Sequence, residues 1–170
     1  SGLPSTPSRW FSSVWWDGPT STTGVILAAD SVTVRPAVAA DHDRVLELVG
    51  KLGHVFPVDP DKFSDSYAFV IDDSDRTLVH VAESGGEVVG YCLTTLSPLL
   101  YSNGPSAQLQ EIVVDEDARV SGVGTALVRA VEAECESRGV TQLTVAARRA
   151  GGFYDRLGYS QQAEYMRRLF

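Results

Sequence analysis

Regular patterning of apolar and polar positions begins at Val32. SVTVRPA alternates and then meets Pro36, which predicts a short strand ending at a turn. Asp41 stands where it can cap a helix in which Val45, Leu48, Val49 and Leu52 recur at helical spacing, with Gly53 placed to stop it. A second helix is expected after Asp59 and Pro60, with Phe63, Tyr67 and Val70 on one side. TLVHVAES and EVVGYCLTTLS, joined by Gly85-Gly86, predict a β-hairpin. A further strand runs through AQLQEIVVDE. Its alternation changes phase: Leu109 and Val113 share one parity, Ile112 and Val114 the other. A β-bulge produces such a switch, although the pattern does not place it.

From Gly122 to Arg138 the pattern is helical, with Val123, Leu127, Val131 and Cys135 on one stripe. Arg138 suits the negative end of the helix dipole, and Gly139 suits the position just past it. QLTVAA follows as a buried strand, so strand, glycine loop, helix and strand form a βαβ unit. GGFYDRLGY predicts a short helix ended by Gly158, and QQAEYMRRLF a last strand. Antiparallel strands first and a parallel pair at the glycine helix make the fold class mixed α/β (α+β). Residues 1–31 differ: they are rich in Ser, Thr, Pro and Gly yet carry Trp10, Phe11, Trp15 and Trp16. They are expected to form an extension whose aromatic cluster docks on the domain at 32–170 or on a second copy in a homodimer.

The chain has 170 residues, enough for one domain with a sizeable core, and its net charge is −8. An acidic surface repels phosphate backbones, which argues against a nucleic-acid partner. It suits a cationic substrate such as an amine, although solubility alone is the simpler reason for it. Cys92 and Cys135 fall inside apolar patterns and read as buried free thiols, consistent with a reducing, cytoplasmic setting. His42, His54 and His80 are scattered without metal-ligand spacing, so no metal is expected. No apolar run reaches membrane-spanning length, and the N-terminus lacks the pattern of a signal peptide.

ARVSGVGTALV poses the chemical question. A helix N-terminus offers unpaired N–H groups and a partial positive charge, and Gly122 and Gly124 remove side chains that would block an anion. Arg119 adds a charge, and Ser121 and Thr125 add hydroxyl groups. The dinucleotide fingerprint fails because Leu127 stands where its third glycine belongs, and no Gly-Lys-Ser/Thr of a P-loop exists. A glycine turn without a ligand remains open on this stretch alone.

Two motifs together carry more. IVVDEDARVSGVGTALV resembles motif A of the Gcn5-related N-acetyltransferase (GNAT) superfamily, with Val114 ending the strand and Arg119-Val120-Ser121-Gly122-Val123-Gly124 opening the helix. AGGFYDRLGY, from Ala150 to Tyr159, is similar to the family's motif B. The resemblance covers about residues 32–170. Two positions depart: Val120 replaces a common Gly, and Ala147 replaces a common Asn.

The resemblance implies the GNAT fold: a central, mostly antiparallel twisted sheet of six to seven strands with a splayed parallel pair, flanked by about four helices. It implies direct acetyl transfer from acetyl-CoA to a primary amine, on a small molecule or a peptide; the alternative is a non-catalytic acetyl-CoA-binding module. By the same resemblance the pyrophosphate sits on the N–H groups of Val120, Ser121, Gly122, Val123, Gly124 and Thr125, beside Arg119. The pantetheine arm runs along Ile112, Val113 and Val114. Tyr154 is the expected general acid and cofactor contact, and Glu111 the expected base. Phe153, Leu157 and Tyr159 read as core, Asp115, Glu116 and Asp117 as a solvated turn, and Arg148-Arg149 as an exposed basic pair. The acceptor site falls to the stretches around Leu52 to Val70 and Thr95 to Gly104.

Overall fold

The computed structural model describes residues 32–52, 57–116, 118, 122–147 and 152–169. Expectations for the extension at 1–31, for Gly53, His54 and Phe56, for Asp117, Arg119, Val120 and Ser121, and for Arg148-Arg149 lie outside the described residues.

Among the described residues, five strands form one sheet in sequential order. They are β1 (Thr33–Pro36), β2 (Thr77–Ser84), β3 (Glu87–Pro98), β4 (Pro105–Val114) and β5 (Gln142–Val145). All neighbours are antiparallel except β4 and β5, which run parallel. Four helices flank the sheet: α1 (His42–Gly50), α2 (Pro60–Asp72), α3 (Val123–Ser137) and α4 (Phe153–Arg156). The mixed class, the parallel pair and the helix count agree with the sequence pattern.

The strand count is a correction: five strands are found where six to seven were expected. QQAEYMRRLF supplies none, because residues 161–169 carry no regular structure. Neither parity of that segment is consistently apolar, since Tyr165 is followed two places on by Arg167, and Met166 by Arg168. A strand with no apolar face to bury gains little from joining an edge. Tyr165 and Met166 are exposed accordingly.

Each face of the sheet carries a core. On one face α3 lies over β1 to β4, burying Val34, Leu78, Cys92 and Leu109 beneath Val123, Leu127, Val131 and Cys135. The predicted stripe is therefore the buried stripe. Gly90 on β3 sets how close α3 can come: a Cβ there would stand 2.9 Å from the Val113 carbonyl oxygen and 3.2 Å from a Val123 methyl. The end of α3 is closed by Gly139 N–H donating to the Glu136 carbonyl (3.1 Å) and Val140 N–H to that of Cys135 (2.9 Å), the paired bonds of a Schellman stop. On the other face α1 and α2 cover Val81, Tyr91 and Val113 with Val45, Leu48, Val49 and Tyr67. Asp59 caps α2 as its sequence position suggests, accepting from the N–H groups of Asp61 and Lys62.

Asp41 does not cap α1 in the expected way. Its side chain makes no bond to the first turn of α1 and reaches back instead, accepting from Val38 N–H at 2.8 Å. Arg35 grips both of its oxygens, at 2.8 and 2.9 Å, and also donates to Glu83 at 2.6 Å. A fork of guanidinium donors outcompetes weak backbone donors for a carboxylate.

The hydrogen bonds from Arg35 outweigh burial and hold the Asp41 carboxyl below its usual range. A carboxyl depressed in the fold contributes stability above its unfolded pKa, about 4, and loses it as pH falls through the folded value. Asp41→Asn is expected to lower the unfolding free energy at pH 7 by about 1–3 kcal/mol. Urea titrations at pH 7 and pH 3 should show the gap between wild type and variant narrowing at the lower pH.

Candidate functional site

The centre of the site is a one-residue irregularity in β4. Leu93 of β3 pairs with Glu111, while the next residue, Thr94, pairs with Leu109. Gln110 is therefore the extra residue of a β-bulge, exposed and bonded through its side-chain amide to Thr95 Oγ1 at 2.8 Å. Before the bulge, Ala107 and Leu109 face α3; after it, Ile112 and Val114 do. Val113 faces α1 and α2. The phase switch in the sequence is this bulge. Without it, Glu111 would share the face of Leu109.

The bulge also marks where β4 and β5 part. Their parallel pairing runs from Ser106–Gln142 to Leu109–Val145 and stops there, while β4 continues to Val114 against β3. The β5-facing edge of β4 beyond Leu109 is thus outside the ladder, and the N-terminus of α3 stands at the far end of this edge.

Gly122 begins α3 in the left-handed region (φ 77°), with nothing within 4 Å of where a side chain would start. The Ala126 N–H donates to the Gly122 carbonyl at 3.0 Å. The first-turn N–H groups ahead of it have no acceptor within the helix. Val123 is fully buried in the core and Thr125 half-buried. Gly124 turns its bare Cα inward: a Cβ would lie 3.5 Å from the Phe153 ring and 3.7 Å from a Val114 methyl. The glycine joins the two sequence motifs by packing.

Tyr154 on α4 is buried in the α3-side core, its ring 5.0 Å from that of Phe153 and 5.5 Å from that of Tyr159. Burial pushes its phenol above the ordinary value, with Cys92 adding to the rise, so it stays protonated through the neutral range. Phe153, Leu157 and Tyr159 pack on the same core, as expected. Glu111 is half-buried on the opposite face and accepts a hydrogen bond from the Tyr91 hydroxyl at 2.9 Å. The acid and base candidates thus approach from opposite faces of the sheet.

Asp115 is not the solvated turn residue the sequence suggested. It receives Arg44 of α1 at 2.8 Å and Lys51, just past the end of α1, at 2.9 Å, and its own N–H donates to the Val89 carbonyl. Those cations hold its carboxyl down at about 2. Sequence reasoning also gave Tyr91 no role; its one local signal was a tyrosine inside a buried strand, where a hydroxyl needs a partner. Cys92 and Cys135 are free and buried, as expected. Among the described residues no group of His, Cys, Asp and Glu is placed to hold a metal ion, and no helix is long and apolar enough to cross a membrane.

With this geometry in hand, comparison with known proteins is direct. A family model described as the acetyltransferase (GNAT) family matches residues 45–159. The chain belongs to that family. No curated protein sequence matches it. Solved GNAT-like structures share the fold at low identity. A glucosamine-6-phosphate N-acetyltransferase from Arabidopsis thaliana is 20% identical, with a TM-score of 0.73, over 82% of this chain and 98% of that one. An integron cassette protein from the mobile metagenome of Cole Harbour Salt Marsh is 23% identical, with a TM-score of 0.72, over 81% and 89%. An aminoglycoside 6'-N-acetyltransferase from Acinetobacter baumannii is 18% identical, with a TM-score of 0.66, over 82% and 99%. GNAT enzymes take the acetyl group from acetyl-CoA.

Gly122 holds a positive φ of 77°. An L-residue in the left-handed region costs about 1–2 kcal/mol, less for Asn. Gly122→Ala is expected to lower stability by about that amount in a urea titration although its methyl meets nothing, and Gly122→Asn by less.

Proposed function

We propose that this GNAT protein is an N-acetyltransferase that moves the acetyl group of acetyl-CoA directly to a primary amine. The observation that carries the reading is the parting of β4 from β5 after Leu109, with β4 running on beside the N-terminus of α3. A strand edge offers main-chain groups to an extended, amide-bearing arm, and a helix N-terminus offers N–H groups and positive potential to a pyrophosphate.

On this reading Ile112, Val113 and Val114 hold the pantetheine arm through their main chain. Arg119, Val120, Ser121, Gly122, Val123, Gly124 and Thr125 cradle the pyrophosphate. Glu111 takes the proton that the acceptor ammonium must lose, because an alkylammonium with a pKa near 10 is no nucleophile at neutral pH. The amine nitrogen bonds to the acetyl carbon, the carbon–sulfur bond breaks, and the departing thiolate takes a proton from Tyr154, while the second proton shed by the nitrogen as it becomes an amide restores the phenol through solvent. Burial suits Tyr154 to that part, since it keeps the phenol in its donor form.

The acceptor is drawn from small amines, polyamines, aminoglycosides, and lysine or N-terminal amines of proteins. The two named acetyltransferases of the same fold already differ in acceptor, so the fold does not choose among them.

Isothermal titration with acetyl-CoA is expected to give saturable binding at tens of micromolar protein; no heat under those conditions would refute the reading. A panel of amines assayed by release of free CoA thiol then identifies the acceptor class. With the best amine, Tyr154→Phe is expected to lower kcat about 10²-fold or more while leaving acetyl-CoA affinity within a factor of a few. Tight binding with no thiol release for any amine would support a non-catalytic acetyl-CoA-binding module instead.

A further inference from the structure

Tyr91 and Glu111 meet across the β3–β4 ladder in a way that neither strand explains alone. Tyr91 pairs with Val113, and Glu111 pairs with Leu93, so the two side chains lie diagonally on the face covered by α1 and α2. Diagonal neighbours come within reach only for long or aromatic side chains. The bulge at Gln110 turns Glu111 onto this face, and the Tyr91 hydroxyl then donates to Glu111 Oε2 at 2.9 Å.

The pair is asymmetric. Tyr91 is 2% exposed, its ring locked among Val81, Val113 and the residues of α1. Burial first, and then the Glu111 carboxylate, drive its phenol far above the ordinary tyrosine value, so it acts as a fixed donor. Glu111 is only half-buried. One carboxylate oxygen is therefore anchored to a rigid ring, and that bond leaves the other, Oε1, uncommitted to Tyr91. A flexible glutamate becomes a carboxylate of set direction.

We propose that Tyr91 is a positioning residue for acetyl transfer, anchoring Oε2 of Glu111 so that Oε1 is presented to the acceptor ammonium. This rests on the reading of Glu111 as the base. The alternative is that Glu111 merely satisfies a buried phenol, in which case the bond concerns stability alone.

A double-mutant cycle separates the two. Wild type, Tyr91→Phe, Glu111→Gln and the double variant are assayed by thiol release with acetyl-CoA and the best amine of the panel, alongside acetyl-CoA titration and urea unfolding. Tyr91→Phe keeps the ring and removes only the hydroxyl. It is expected to lower kcat about 10- to 100-fold, the scale on which groups that orient a reactive side chain act, with KM for acetyl-CoA within twofold. Glu111→Gln is expected to lower kcat about 10²-fold or more. The double variant should be no slower than Glu111→Gln, because coupled residues are not additive. Equal slowing by Tyr91→Phe in both backgrounds, or a wild-type rate for Tyr91→Phe, overturns the proposal while leaving Glu111 as the base. A wild-type rate for Glu111→Gln removes the base assignment itself and Tyr91 with it. Glu111→Asp offers a route that does not touch the core: its shorter carboxylate withdraws from the hydroxyl, and it should slow the reaction at least as much as Tyr91→Phe. Wild-type speed in Glu111→Asp also overturns the proposal.

Discussion

One unpaired residue, Gln110, governs how β4 meets its surroundings. A strand has a period of two, so an inserted residue sends every later side chain to the other face. Leu109 and Ile112 can both lie under α3, and Val113 under α1, only because the count changes between them. The same insertion twists β4 away from β5 after four paired rungs. Burial on both faces, the direction of Glu111 and the open edge are one event. A deletion at this position would not trim a loop: it would exchange the two cores.

Around that edge the helices are placed by close approach and by charge. Gly90 lets α3 descend onto β3, and Gly124 lets the first turn of α3 meet Val114 and Phe153 without a side chain between them. α1 is tied to the end of β4 by two cations on Asp115, with the Arg44 Nε also donating to the Val88 carbonyl at 2.8 Å. α1 is thus anchored to the residue that follows β4.

Local chemistry was readable wherever neighbours in sequence are neighbours in space. The stripe Val123, Leu127, Val131 and Cys135, the Gly85-Gly86 hairpin, the helix after Asp59 and Pro60 and the Gly139 stop all belong to this kind. The bulge was readable too, because a parity change leaves its mark in one strand. What escaped depends on partners brought from afar. Asp41 looks like a helix cap and Asp115 like a solvated turn carboxylate until Arg35, Arg44 and Lys51 arrive, and Tyr91 finds Glu111 only once the register of β3 on β4 is known. The last strand was overcalled because isolated apolar residues among Gln, Glu and Arg mimic β-pattern without supplying a face.

The two thiols of the core acquire a further meaning beside an activated acyl donor. Burial pushes Cys92 up to about 12 and Cys135 up to about 11. Only the thiolate attacks a thioester, and at neutral pH such groups are ionised in about one molecule in 10⁵ and 10⁴ respectively. On the proposed function, both buried thiols are therefore chemically silent toward the thioester donor. A scaffold that handles acetyl groups is thereby insulated from acetylating its own interior.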